Sequence, residues 1–530
     1  MTSDRHEPST PGSLDIGGFK GIISNAVRFP GLTPTYLQNG EVGLGPKLQG
    51  TPVAWVDCAS SYREDYDKFK NNIELSYQPI DGLTLKILGG YNYTLSHVRH
   101  YRCDMILTGD KSTGPSTLSD EMKRTVYKTF QAVADYNKSF GKHNLAALVG
   151  YTWEDEGQRT LSGSRNNFPS DDVPFLGAGG ADGQTNGGGG YDWAIQSVFG
   201  RLTYNYDQRY LFETTMRYDG SSRFPTDSKY GFFPSLAAGW RISEESFFEP
   251  ARNIFDNLKV RASYGSLGNQ VTDGNFQYLS FLTSESLAYL MNGGIISGLK
   301  APTLASTNIT WEKVYTTNIG LDWTMLNGRF TGSFDYYIRD TKGMVVNKTY
   351  PAVLGTTGGK ENLADMRTKG MELSLTWNDQ IKDVAGSPLD YSISIGISDN
   401  TSEITKYDNP TLSLDETHYQ GKKIGEIWGY VTDGFIKDEA EAQEMANKQA
   451  FISTTWKPGD IRYADLNGDG KIDRGNNRVG DSGDKKVIGN TTPRYNFNLN
   501  LSGSWKVLTY VCLPRYNETR RMVGLSCIFG

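Results

Sequence analysis

The chain has no run of 18 or more apolar residues, and its mean hydropathy is −0.50, so no segment reads as a membrane-spanning helix. Cysteine is scarce. Cys58, Cys103, Cys512 and Cys527 are far apart, do not make a disulfide scaffold and lack metal-ligand spacing. The five histidines, His6, His97, His100, His143 and His418, form no HExxH or paired metal spacing, and GxSxG does not occur. His97 and His100, three apart in a polar stretch, read as a chance pairing. With no catalytic constellation, the sequence predicts a protein that is not an enzyme and requires no cofactor. A net charge of −6 argues against nucleic acid as the main partner. The opening MTSDRHEPSTPGSLDIGG has no charged region followed by an apolar one, the pattern of a signal peptide.

What the chain has is alternation. Tyr210, Phe212, Met216 and Tyr218 fall on one face of a strand, and Glu213, Thr215, Arg217 and Asp219 on the other. Phe232, Leu236, Ala238 and Trp240 likewise oppose Ser235, Gly239 and Arg241. The same period carries Ile73 to Tyr77, Leu83 to Tyr93, Leu145 to Tyr151, Val260 to Tyr264, Thr317 to Trp323, Phe330 to Ile338, Met371 to Trp377 and Tyr391 to Ile397. Segments of about ten residues with aromatic ends, apolar on one face and polar on the other, predict an all-β, antiparallel transmembrane β-barrel with long extracellular loops. We count about thirteen or fourteen strands, a partial set that leaves open edges, since such barrels normally close with an even number. Sixty glycines and 31 tyrosines fit short turns and interfacial belts, although a soluble β-protein can also be tyrosine-rich.

Turns are predicted at Gln78-Pro79-Ile80-Asp81-Gly82, around Lys138 to Lys142, and at Asn327-Gly328, the strongest hairpin signal. Gly17 to Gly45, His97 to Ser119, Gly157 to Asp192 and Gly268 to Leu304 read as loops, Ser243 to Pro250 as a short helical turn, and Glu439 to Gln449 as a short polar helix. The run GGADGQTNGGGG is followed by a strand rather than a helix, so it reads as a mobile extracellular loop and not a phosphate cradle. On barrel strands Glu213, Arg217, Asp219, Arg223 and Arg241 read as lumen-lining charges rather than acid–base groups.

One motif has specific chemistry. Asp465, Asn467, Asp469 and Asp473 supply side-chain oxygens at positions 1, 3, 5 and 9 of an EF-hand-like loop, with Gly470 at 6 and the Lys471 carbonyl at 7. Position 12 is Asn476 rather than a bidentate glutamate, and no flanking helix pair is evident. Two readings stand: a calcium (Ca2+) loop, and an Asx turn bonded to itself.

The runs GRLTYNYDQRYLFETTMRYDGSSRF, KYGFFPSLAAGWRISEESFF, WEKVYTTNIGLDW, GSFDYYIRDTKGMV and NLADMRTKGMELSLTW resemble the barrel of SusC/RagA-type TonB-dependent outer-membrane transporters. NAVRFPGLTPTYLQNGE, KSFGKHNLAALVGYTWE, SYGSLGNQ and IGEIWGYVTDGFI extend the resemblance from about Asn25 to Lys506. It implies residues 1–68 as a loop and early barrel segment, 69–506 as the barrel portion of a larger barrel of about twenty-two strands, and 507–530 as a divergent tail, shifted in frame or truncated. The family's plug and TonB-contacting segment are not recognisable, so the expectation is a fragment that does not transport alone. By resemblance, the whole protein imports oligosaccharides or peptides through the outer membrane, with a SusD-like lipoprotein delivering ligand and the TonB complex supplying energy. The competing class is a soluble or surface-exposed β-rich glycan-binding protein.

Overall fold

The computed structural model describes residues 4–7, 26–27, 29–43, 51–58, 60–104, 106–107, 111–112, 114–270, 274–280, 282–291, 294–300, 304–348, 350, 353, 359–414, 418–506, 508–512 and 515–519. The first part of the predicted N-terminal loop, residues 17–25, and most of the tail beyond Cys512 therefore lie outside the described residues. Thirteen strands of twelve residues or more carry the fold: β1 (Ser61–Ile80), β2 (Leu83–Arg102), β3 (Thr117–Phe140), β4 (His143–Asn166), β5 (Thr185–Tyr206), β6 (Tyr210–Ser221), β7 (Tyr230–Arg241), β8 (Phe255–Asn269), β9 (Glu312–Met325), β10 (Phe330–Asn347), β11 (Lys360–Val384), β12 (Ser387–Lys406) and β13 (Pro493–Trp505). Along this series, each strand is hydrogen-bonded to the next. The predicted all-β antiparallel architecture is the one observed.

The chain divides into two compact units. The first comprises Met1–Pro79, Thr84–Ala134 and Gly150–Gln196. Its strands run further than the alternation indicates. The predicted turn at Gln78 narrows to Asp81-Gly82, because β1 continues through Pro79 to Ile80. The predicted loop from His97 shrinks likewise, since β2 reaches Arg102 and β3 starts at Thr117. The glycine-rich connection is also shorter: β4 extends to Asn166, and Gly187 to Gly190 belong to β5. Tyr101, Cys103 and Leu118 are buried, with Phe168 and Leu176 packed on them. Cys58 and Cys103 form a disulfide, their Cα atoms 6.5 Å apart. Sequence spacing gave no sign of this bond, because the two cysteines meet only through the hairpin between them.

The second unit comprises Ile80–Leu83, Asp135–Val149 and Ser197–Gly530. Here register turns alternation into two continuous faces. Trp240 lies opposite Tyr210, Ala238 opposite Phe212, Leu236 opposite Thr214 and Phe232 opposite Tyr218. The row continues from Leu236 to Tyr264 and Ala262 to Ile319, then to Tyr336 and Met371. Farther on, Leu373 meets Ile397, which meets Phe497. No slip occurs within these central pairs, so each strand's apolar set stays on one side of the sheet. Leu236 and Ile319 remain 49% and 58% exposed on that face, an apolar surface that needs a nonpolar medium to cover it.

Aromatic residues bound this face. At the short-turn ends stand Tyr210, Trp240, Trp323, Phe330, Trp377 and Trp505. At the opposite ends Tyr218 stacks on Tyr230 at 5.2 Å and Tyr264 on Tyr315 at 6.5 Å. Farther along β10 the same parity turns ionic, with Asp340 paired to Arg367 at 2.7 Å. The hairpin at Asn327-Gly328 is as predicted, with Leu326, Asn327 and Gly328 all at positive φ.

Between β12 and β13 the chain builds a small folded insertion. Its helix, Glu439–Lys448, is capped by Asp438, which accepts the Glu441 N–H at 2.9 Å, while Glu441 reaches back to the Lys437 N–H at 2.7 Å. Ile436, Ala442 and Met445 form its apolar centre with Trp456 against them. Fully buried Gln449 accepts from the Tyr463 N–H at 2.6 Å and donates to the Ile461 carbonyl at 3.3 Å, tying the helix end to strand Ile461–Tyr463.

Candidate functional site: the polar face of the sheet

The face opposite the apolar one carries the charges. Arg217 donates through Nε to both Asp219 oxygens, at 2.7 and 2.9 Å, and through Nη2 to Ser197 at 2.9 Å. Two residues apart on β6, Arg217 and Asp219 point the same way, and Asp219 is 8% exposed. Glu213 pairs with Arg201 at 2.7 Å. Arg223 lies in the β6–β7 turn, where its Nε donates to Asn275 at 2.8 Å. Arg241 ends β7 opposite Lys259, and its buried Nε finds no acceptor among the described residues. Glu213, Arg217, Asp219 and Arg241 thus share the polar parity of their strands, Arg223 lies in the turn, and the five form no single cluster.

The strongest polar assembly lies farther along the same face. Arg261 on β8 makes a bidentate pair with Asp335 on β10, at 2.7 and 2.6 Å, and contacts both oxygens of Asp322 on β9 at 3.1 Å. Lys259 adds a second cation to Asp322 at 3.0 Å, and Asn318 donates to Asp335 at 2.7 Å. The strand between Arg261 and Asp335 presents Gly320, which is in register with both. A Cβ there would stand 2.5 Å from the Arg261 guanidinium carbon, so the missing side chain is what lets arginine cross the strand. Parity alone marks all these residues as polar-facing; the grouping needs the register.

Beside β12 and β13 the same face changes character. Ser394, Ser398 and Asn400 alternate along β12, and Asn496, Asn498 and Asn500 along β13, all neutral. Thr376 and Ser394 share a hydrogen bond at 2.9 Å.

Phe233 also has the parity of this face, yet it is 4% exposed. Phe224, Ile309 and Trp311 bury it, with Tyr278 and Val345 alongside. Trp311 donates to the Lys229 carbonyl at 2.9 Å, fixing the β6–β7 turn. Gly268 makes room for the ring, since a Cβ there would stand 2.1 Å from Phe233 Cζ.

The calcium motif is a chain of side-chain-to-backbone bonds. Asp465 accepts from the Gly468 and Gly470 N–H groups at 2.6 and 2.8 Å, Asn467 from Asp469 at 3.0 Å, and Asp469 from Lys471 at 2.8 Å. Asp473 accepts from the Gly475 N–H at 2.7 Å. Among the described residues no group of three or more His, Cys, Asp or Glu converges as a metal-ligand set. Fully buried Asp484, which sequence reasoning missed, clamps the loop by accepting the Leu466 N–H at 2.7 Å and the Asp473 N–H at 2.9 Å. Only a fold that returns Asp484 beneath the motif reveals it.

An antiparallel meander with one bare apolar face, aromatic borders and an ion-paired polar face is the architecture of an outer-membrane barrel wall. The sequence profile of the TonB dependent receptor-like β-barrel family matches residues 10–513. The chain belongs to that family. It is 28% identical over 496 residues to TonB-dependent receptor P3 of Formosa agariphila, covering 90% of this chain and 47% of that protein. It is 33% identical over 291 residues to TonB-dependent receptor SusC of Bacteroides thetaiotaomicron, covering 54% and 28%. Among solved structures, the RagAB peptide transporter superposes with a TM-score of 0.72 at 22% identity, covering 88% of this chain and 49% of that one; this likeness concerns the fold. The chain spans about half the length or less of these relatives. The expected SusC/RagA resemblance is thereby shown, and the family is one of outer-membrane transporters rather than enzymes.

Proposed function

We propose that this chain is the barrel wall of a TonB-dependent importer that carries oligosaccharides or peptides across the outer membrane, with Glu213, Arg217, Asp219, Arg223 and Arg241 on the lumen side. The observation that carries the reading is the register-true split of the sheet into one apolar and one polar face. The apolar face suits lipid, because half-exposed Leu236, Ile319 and Ile395 would otherwise stand in water. The polar face suits an aqueous path: its largest charges neutralise one another, and β12 and β13 offer neutral hydroxyl and amide groups that hydrogen-bond to sugar hydroxyls or peptide amides alike. A SusD-like lipoprotein as the ligand-delivering partner, and the TonB complex as the energy source, belong to the same reading. Support comes from the similarity to TonB-dependent receptor SusC and to the RagAB peptide transporter.

The test is uptake of labelled neutral oligosaccharides and oligopeptides by cells with and without the gene, before and after collapse of the proton gradient. Energy-dependent, gene-dependent accumulation of either class supports the reading. Ligand retention at the surface without accumulation, together with release of the protein by carbonate or urea, favours the β-rich glycan-binding protein instead.

A further inference from the structure

We propose that Cys58–Cys103 is a redox-labile staple whose opening is directed by Ser60 and releases the segment ahead of β1. Helix Pro52–Asp57 starts at Thr51, whose hydroxyl accepts the Ala54 N–H at 3.3 Å, and ends on Cys58. Ala54 is buried against Leu107, with Val42 and Cys58 packed on them, and Tyr36 donates to Asp57 at 2.7 Å. Among the described residues, the segment's own apolar contact is this small cluster around Ala54. Its covalent anchor is Cys103, immediately after β2, set in the buried cluster of Tyr101 and Leu118. The bond therefore fastens a weakly packed element to a well-packed strand end.

The two sulfurs are unequal. Cys103 is 3% exposed, whereas Cys58 is only half-buried. Ser60, itself buried, accepts the Cys103 N–H at 2.9 Å and places its hydroxyl 3.4 Å from Cys103 Sγ and 3.2 Å from Cys58 Sγ. Exchange depends on which sulfur can be reached and on how well the other leaves. An external thiolate attacks Cys58 Sγ; the S–S bond breaks, and Cys103 departs as a thiolate that receives the Ser60 O–H hydrogen bond. A second external thiolate then attacks the external sulfur of the mixed disulfide, leaving Cys58 and Cys103 reduced and the two external thiols joined. Formation is the reverse two-electron step: the two thiols lose two protons and two electrons to the disulfide of a protein dithiol oxidant, which becomes a dithiol. Such oxidants operate outside the reducing cytoplasm.

The experiment uses the full protein in isolated outer membranes. Free thiols are alkylated before and after graded reduction, and peptides are mapped by mass spectrometry. Without reductant, the peptides bearing residues 58 and 103 should be joined. Quenching during reduction should trap the external thiol on Cys58 and not on Cys103. Ser60→Ala should slow opening several-fold, Ser60→Thr should restore it, and reduction should speed proteolysis within residues 29–58 by about tenfold or more. Free thiols at both positions without reductant, trapping on Cys103, or a proteolysis rate indifferent to reduction would each overturn the proposal. The trapping arm needs no variant and stands even where Ser60→Ala fails to fold.

Discussion

A charge on the apolar face should cost most where the aromatic borders are farthest away. Tyr210 and Tyr218 mark the two borders on β6, and eight residue steps of about 3.4 Å give roughly 27 Å along the strand, or roughly 20 Å of height at a tilt near 40°. Leu236 lies opposite Thr214, four steps from either tyrosine, and is 49% exposed on this face. Met216 lies only two steps from Tyr218. Leu236→Arg should therefore cost about 2–4 kcal/mol, the range for arginine at the bilayer midplane, while Met216→Arg should cost less, towards the interfacial value of about 0–1 kcal/mol. Thr215→Arg, on the polar face, should shift stability little. At about 1.4 kcal/mol per tenfold, the Leu236→Arg cost is roughly 30- to 700-fold in the folded-to-unfolded ratio. Urea titration in lipid vesicles, read by heat-modifiable gel mobility, measures all three variants on one scale. Equal midpoints for Leu236→Arg and Thr215→Arg would refute the assignment of faces.

Gly268→Ala should destabilise by about 1–3 kcal/mol, because the new methyl meets the Phe233 ring; Phe233→Ala in the same chain should remove most of the added penalty, and a strictly additive double mutant contradicts the packing argument. Burial near Lys422 lowers the His418 pKa, so the folded state disfavours its protonated form. Stability of the insertion should be full above the unfolded value of about 6.5 and fall as pH drops from there through the lowered folded pKa. Hydrogen exchange of residues 418–425 at pH 7.5 and 5.5 measures this, and His418→Gln should flatten the difference. Calorimetry with calcium and chelator tests the Asp465–Asp473 loop: binding predicts heat abolished by Asp465→Ala and Asp469→Ala but kept by Lys471→Ala, whereas absence of heat at millimolar calcium leaves the Asx turns as the loop's content.

The strands were legible in the sequence because a half-lipid, half-water environment imposes period two on side chains, as in Ile393, Ile395 and Ile397 against Ser392, Ser394 and Ser398. Their ends were not. His97 to Arg102 and Gly157 to Asn166 keep the backbone ladder while losing the pattern, and Tyr101 among them is covered by Phe168 and Leu176 from a neighbouring connection. Gly187 to Gly190 punctuate a sequence as a loop does, yet here glycine permits close approach: a Cβ at Gly190 would stand 2.4 Å from the Gln158 carbonyl oxygen. Hydrophobic alternation reports the medium around a strand rather than the length of the strand.

The same reasoning separates legible from hidden parts of the polar face. Arg217 and Asp219 could be paired from the sequence because residues two apart on one strand share a face. Arg261 and Asp335 could not, since 74 residues separate them and their contact requires two correct registers and a glycine between. Asp484, Gln449 and the Cys58–Cys103 bond are further from reach, because each is fixed by a loop returning to a place no periodicity encodes. Sequence pattern locates charges on a face; only register decides which of them neutralise one another. That distinction bears on transport, because a solute passing Arg261 meets a guanidinium already shared by two carboxylates, whereas one passing half-buried Arg241 meets a guanidinium that makes no ion pair among the described residues. Arg241→Gln should therefore alter uptake of anionic solutes more than Arg261→Gln does at matched protein levels, and the reverse order would mean that the Arg261 network opens during transport.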